Sequence, residues 1–295
     1  MKIEFSNRFI ASSACCLVAI TFSLPVLAKP SKTEVDNYAT NYYRAIRAVS
    51  WRWHERAQEH AKLSNQRFLA QQPESSSWSR TRASGMGDVA VAPDGRVWLA
   101  GKNGTIWFGN SRGTNFTQVQ GSGFRRISVA PNGVVWAVGG NGTLWRLVEG
   151  NWSQTRASGM GDVAVAPNGT VWLAGKNGTI WFGNSRGTNF TQVQGSGVRR
   201  ISVAPNGVVW AVAENGTLWR LAEGNWNRTQ ASGMGDVAVA PNGTVWLAGK
   251  NGTIWFGNSR GPYFTQVQGS GFESVAVGQE GLWAVGQNGT LWLKR

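Results

Sequence analysis

The chain has 295 residues, with 29 Lys and Arg against 15 Asp and Glu and a formal net charge of +14. That balance fits an anionic partner such as lipopolysaccharide phosphate, acidic polysaccharide or a membrane surface, and it equally fits charge kept for solubility. The only 2 cysteines, Cys15 and Cys16, and the only 2 histidines, His54 and His60, lie before residue 78, so from there on disulfides, thiolate metal sites and Ser-His-Asp or Cys-His catalysis are excluded.

In chain order, residues 1–28 have the pattern of a signal peptide. Lys2 and Arg8 begin it, an apolar run leads from Ile10 to Leu27, and Val26-Leu27-Ala28 offers a small-residue cleavage site. Both cysteines fall inside this leader, and no second apolar run is long enough to span a bilayer. The expected location is secreted or periplasmic. Residues 29–72 form an expected amphipathic helical segment. From 33 to 69 there is no glycine or proline, and Val35, Tyr38, Tyr42, Ile46, Val49, Trp53 and Ala57 recur at helical spacing. Such a stripe packs on the following domain or on a second copy in a dimer; alternatively, with Arg44, Arg47, Arg52 and Arg56, it lies on an anionic membrane. His54 and His60 are six apart and fall on different faces, which does not suit a metal pair. A polar linker occupies 73–77.

From 78 onward the chain repeats itself. One tryptophan recurs at Trp98, Trp136, Trp172, Trp210, Trp246 and Trp283, and a second follows nine residues later at Trp107, Trp145, Trp181, Trp219, Trp255 and Trp292. Spacings alternate between 38 and 36 at first, so the true period is a double unit of 74, and residues 78–151 differ from 152–225 at only about seven places. Within a unit, 162–181 reads as three short strands. The Asn168-Gly169 and Asn177-Gly178 dipeptides suit two-residue type I′ turns. That register sets Val165 opposite Trp172 and Ala174 opposite Trp181, with both sheet faces apolar. A fourth strand follows, Asn115 to Gln120 in odd units and Asn151 to Thr155 in even ones.

Four antiparallel strands in about 37 residues, apolar on both faces, describe a propeller blade. The sixth unit stops at Arg295 without its fourth strand, whereas Trp78-Ser-Arg-Thr-Arg82 matches Trp152-Ser-Gln-Thr-Arg156. The predicted fold is therefore all-β: a six-bladed propeller over 78–295, closed by its N-terminal strand and preceded by an amphipathic α-helix. The paired tryptophans read mainly as core.

The recurring Val-Ala-Val-Ala-Pro-Asn-Gly-Thr-Val-Trp and Asn-Gly-Thr-Ile-Trp resemble the tectonin family of β-propellers over 78–295. That resemblance implies a lectin or defence protein binding bacterial surface glycans and lipopolysaccharide, or in some members a scaffold. The sixth unit departs from the pattern, with Gly278-Gln-Glu-Gly281 and one residue fewer before Trp283.

No catalytic constellation is expected. Asp88, Asp162 and Asp236 are 74 apart and could face one another across the axis, but they read better as turn caps at strand starts. Alternating strand directions place Lys102, Lys176 and Lys250, with Arg125-Arg126 and Arg199-Arg200, on one face. Arg112, Arg186 and Arg260 fall on the other. Trp78, Trp152 and Trp226 on outer strands are candidate sugar platforms, or simply caps of the blade edges. Each set comes in threes, which suits avid binding to a repetitive surface. The expectation is a non-enzymatic, multivalent binder of glycans or lipopolysaccharide, with no cofactor, no metal and no nucleic-acid partner; the alternative is a protein-interaction scaffold.

Overall fold

A computed structural model describes residues 77–258 and 263–295. The expected leader, the helical segment and all but the end of the linker lie outside the described residues, and those described form strands and no helix.

Six separate sheets, each of four antiparallel strands, make up the propeller. Their inner strands are Met86–Val91, Phe124–Val129, Met160–Val165, Val198–Val203, Met234–Val239 and Phe272–Gly278, which we number as blades 1 to 6. Each inner strand packs beside those of the neighbouring blades, and the first meets the sixth. Trp78–Arg80 supplies the outer strand of blade 6, pairing with Leu291–Lys294 so that Trp78 lies opposite Lys294 and Arg80 opposite Trp292. This closure satisfies backbone groups that would otherwise be left at a sheet edge.

The turns differ from the two-residue expectation, and the difference decides which side chains share a face. In blade 3 the Gly169 N–H donates to Ala166 O at 2.8 Å, and the Ala166 N–H donates to Thr170 O at 2.8 Å. Three residues, Pro167-Asn168-Gly169, therefore cross between strands, with Gly169 left-handed at φ 83°. This is a type I turn closed by a glycine bulge. Gly175 to Thr179 repeats it, with Gly178 at φ 82°. The added residue moves the register by one, setting Ala164 against Trp172 and Leu173 against Trp181. A one-residue slip reverses every side chain, so the two tryptophans of a unit lie on opposite faces.

The blade contacts follow from this register. Val163, Val171 and Leu173 pack with Trp136 and Val138 of blade 2, while Ala164, Ala174 and Ile180 pack with Val198, Ile201 and Val209 of blade 4. The first tryptophan lies on the alanine side of its sheet, Trp172 with Ala164 and Ala174. Trp136, Trp210 and Trp283 are fully buried. The second tryptophan is tied to its turn: Trp181 Nε1 donates to Thr179 Oγ1 at 3.0 Å, and that hydroxyl donates to Asn177 Oδ1 at 2.6 Å. Blade 6 has a true two-residue turn, Gln279-Glu280, between Gly278 and Gly281. Its shorter sequence thus keeps Ala276 opposite Trp283, the same pairing as Ala164 and Trp172.

Candidate functional site

Every inner strand begins with a bulge. Pairing skips one residue between Met160 and Asp162, and the same break occurs in the other five blades. Bulges re-aim the side chains beside them. The residue that resumes pairing is Asp88, Arg126, Asp162, Arg200, Asp236 or Ser274, one from each blade in order. The bulge residue just before it is Gly87, Arg125, Gly161, Arg199, Gly235 or Glu273. Odd blades thus bring a carboxylate to the axis and even blades bring an arginine, except that blade 6 brings a serine.

The carboxylates do not cap turns, as the sequence had suggested. Each reaches the next blade and accepts a backbone N–H there: Ile127 to Asp88, Ile201 to Asp162 and Val275 to Asp236, all at 2.9 Å. Arg126 Nη1 lies 3.5 Å from Asp88 Oδ1, Ser274 donates to that same oxygen at 2.8 Å, and Arg200 Nε lies 3.4 Å from Asp236 Oδ1. Arg126 turns toward blade 1 and Arg200 toward blade 5, so Asp162 between them has no ion pair among the described residues. Burial pushes the Asp162 carboxyl up to about 7; Asp88 and Asp236 add to the rise, and Arg200 and Arg126 oppose it. Burial likewise raises Asp236 despite its partner. Burial disfavours the charge of Arg200 as well, but the Asp236, Asp162 and Asp88 carboxylates outweigh that and hold it firmly protonated. Among the described residues no cluster of carboxylates and histidines is arranged to hold a metal ion.

Around this ring the structure gathers the three sequence-predicted lysines. Each Nζ donates to a backbone carbonyl of the preceding blade: Lys102 to Gln287 at 2.7 Å, Lys176 to Gly140 at 2.8 Å and Lys250 to Glu214 at 2.6 Å. Lys102 also meets Glu273 at 3.0 Å. A cavity of about 590 Å³ opens here between Lys102, Lys250, the two arginine pairs and Glu273. A second, of about 270 Å³, shares both arginine pairs and adds Lys176. Guanidinium and ammonium groups lining one mouth suit carboxylate, phosphate or sulfate oxygens.

The comparisons with known proteins fit this architecture. Residues 163–295 match the family model described as the Tectonin domain, and residues 78–151 nearly duplicate 152–225. Residues 163–295 are thus a Tectonin domain within a six-bladed β-propeller. No curated protein matches it. Among solved structures, YCF48 bound to D1 peptide aligns with a TM-score of 0.50 at 18% identity, over 71% of this chain and 77% of that one. A structural genomics protein of unknown function from Bacteroides thetaiotaomicron aligns with a TM-score of 0.60 at 10% identity, over 75% and 72%. At such identities the likeness concerns the fold.

The remaining sequence-predicted residues of the propeller lie elsewhere. Arg112 and Arg186 are exposed on the loops joining third and outer strands, at the other end of the blades from the lysine turns, and Arg260 lies outside the described residues. Asn110 shapes its loop by accepting the Arg112 and Thr114 N–H groups at 3.1 and 3.0 Å. A groove of about 990 Å³ runs beside Arg112 along the junction of blades 6 and 1, lined also by Arg80, Arg82, Trp107, Phe116 and Arg295. Trp78, Trp152 and Trp226 are half-buried and clasp adjacent blades. Their Nε1 groups donate to Gln268, Gln120 and Gln194 carbonyls at 2.9, 2.8 and 3.0 Å. Trp78 lies 4.3 Å from the Phe272 ring and Trp152 lies 4.4 Å from Phe124, so these indoles have structural partners already. The sequence reading missed the charge ring. Its signal was present: each arginine of the ring follows an aspartate by 38 residues, Arg126 after Asp88 and Arg200 after Asp162.

Proposed function

We propose that this propeller is a non-catalytic binding module that holds anionic glycans or lipopolysaccharide on its lysine face, acting outside the cytoplasm after removal of the leader at 1–28. One observation carries the reading: three lysines and two arginine pairs from different blades converge on one mouth. The Tectonin domain is consistent with it, because tectonin propellers are typically binding rather than catalytic folds. The pseudo-threefold arrangement suits a repetitive surface, where several modest contacts combine by avidity. An array of glycans and lipopolysaccharides, probed with the full chain at low and high salt, tests it. Selective binding blocked by a defined sugar and retained in salt is the expected result. Binding that vanishes wholly with salt leaves only unspecific attraction and overturns the lectin reading.

A second reading is a protein-binding scaffold. YCF48 is bound to a peptide in its solved structure, and an acidic peptide would meet the same cations here. In that case sugars fail to compete, and removing residues 29–72 abolishes association if the amphipathic segment docks the partner.

A further inference from the structure

We propose that the cleft above blade 3 is a seat for a single tetrahedral oxyanion, the phosphate or sulfate group of a glycan ester, and that its occupancy is linked to protonation of Asp162. The inference deepens the glycan reading and rests on it for the source of the ester. The six blades do not offer equivalent clefts. Blade 3 alone stands between two arginine-bearing blades, because blade 6 brings Glu273 and Ser274 where blades 2 and 4 bring Arg125-Arg126 and Arg199-Arg200. The blade 1 and blade 5 clefts each adjoin only one pair, and Lys102 is spent on Glu273. Above blade 3 the cavity of about 270 Å³ gathers Arg125, Arg126, Lys176, Arg199 and Arg200 against one carboxylate, Glu214. The bulge residue beneath is Gly161, which leaves the floor without a side chain.

The guanidinium forks of Arg125 and Arg199 on exposed rim positions suit the oxygens of a sulfate or phosphate, and the Lys176 ammonium, which also donates to Gly140 O at 2.8 Å, lines the same cavity. Asp162 follows Gly161 in the chain and lies buried behind the lining, without an ion pair among the described residues. The charged groups acting on it are Arg200 from blade 4, Arg126 from blade 2, Asp88 from blade 1 and Asp236 from blade 5. An oxyanion entering this cleft repels a charged Asp162 and tolerates a neutral one. Linkage then requires that the anion favour the protonated carboxyl and that protonation favour the anion by the same factor. Burial pushes the Asp162 carboxyl up to about 7, so binding should weaken as the pH rises through that value.

The test is calorimetric titration of the full chain with sodium sulfate and with glucose 6-sulfate, at pH 6 and pH 8 and constant low ionic strength. Both probes keep their charge over this range, so the protein alone titrates. Expected is saturable binding at pH 6 that weakens about fivefold to tenfold at pH 8. Asp162→Asn should bind equally at both values, since the amide keeps the acceptor for the Ile201 N–H and loses the charge. His54 and His60 are shared by both proteins and cannot account for the difference. Arg199→Gln should bind at least about tenfold more weakly. Tighter binding of glucose 6-sulfate assigns the seat to an ester, and equal binding assigns it to the free oxyanion; both uphold it. No saturable binding, unchanged affinity in Arg199→Gln, or a pH response that persists in Asp162→Asn overturns it. If lipopolysaccharide still binds the wild type and Arg199→Gln alike, the seat fails while the lectin reading stands.

Discussion

Blades 4 and 6 differ where charge is concerned and agree where packing is. Blade 4 brings Arg199 and Arg200 to the mouth, and blade 6 brings Glu273 and Ser274, yet Ser202 lies opposite Trp210 in one as Ala276 lies opposite Trp283 in the other. Blade 6 even lacks one turn residue without losing that pairing. The comparison teaches that the interleaved apolar faces hold the ring, and that the bulge at each inner strand carries charge the packing does not dictate.

The comparison breaks most visibly at the buried indoles. Trp210→Ala and Trp283→Ala should each cost about 3–5 kcal/mol, as loss of a fully buried aromatic does. Guanidinium denaturation of the two variants checks this, and a clear inequality would show that blade 6 is not packed as blade 4 is. Arg200→Ser places the blade 6 residue in blade 4. It strips Asp236 of its buried partner, which typically costs about 3–5 kcal/mol, and the loss should shrink in acid as Asp236 becomes neutral.

Asp162→Asn should act in the opposite direction. A carboxyl whose pKa is raised on folding is least costly when protonated, so the wild type loses stability as the pH climbs from the ordinary carboxylate range to about 7, and the deficit is full above that. The asparagine variant should therefore match wild type near pH 4 and exceed it at pH 8, by up to about 4 kcal/mol. Thermal melts across that range decide the sign, and a variant less stable than wild type at pH 8 would refute the assignment. The smallest effect belongs to the rim. Lys102→Met should change stability by no more than about 1 kcal/mol, because its pair with Glu273 is partly exposed and screened by solvent, and the change should fade in high salt.

Much of this was legible in the sequence. The paired tryptophans, the 74-residue period and the match of Trp78-Ser-Arg-Thr-Arg82 to Trp152-Ser-Gln-Thr-Arg156 gave six blades and their closure, because repeats that cannot bury two apolar faces alone must stack. Alternating strand direction was enough to put Lys102, Lys176 and Lys250 on the face of the arginine pairs. The Asn-Gly turns were legible as turns, but their length was not. Pro167-Asn168-Gly169 and Lys176-Asn177-Gly178 fit either a two-residue or a three-residue loop by composition, and only the hydrogen bonds of Ala166 and Gly175 choose. That choice of one residue decided which tryptophan faces which blade.

The sequence carried the 38-residue spacing of the charge ring, but its pairing belonged to tertiary structure. Asp88 and Ser274 are 186 positions apart and become partners because the last blade closes beside the first. Whether Trp78 is a sugar platform or a clasp likewise depended on where Phe272 and the Gln268 carbonyl arrive. The sequence by itself determined the repeat, the all-β class and the closed ring, since periodic apolar patterning and complementary chain ends are local facts of the chain. The mouth, an Asp162 with no ion pair among the described residues and the lone cleft between two arginine-bearing blades were decided only when the ring closed, because an ion pair depends on distance through space and the sequence spaces residues along the chain.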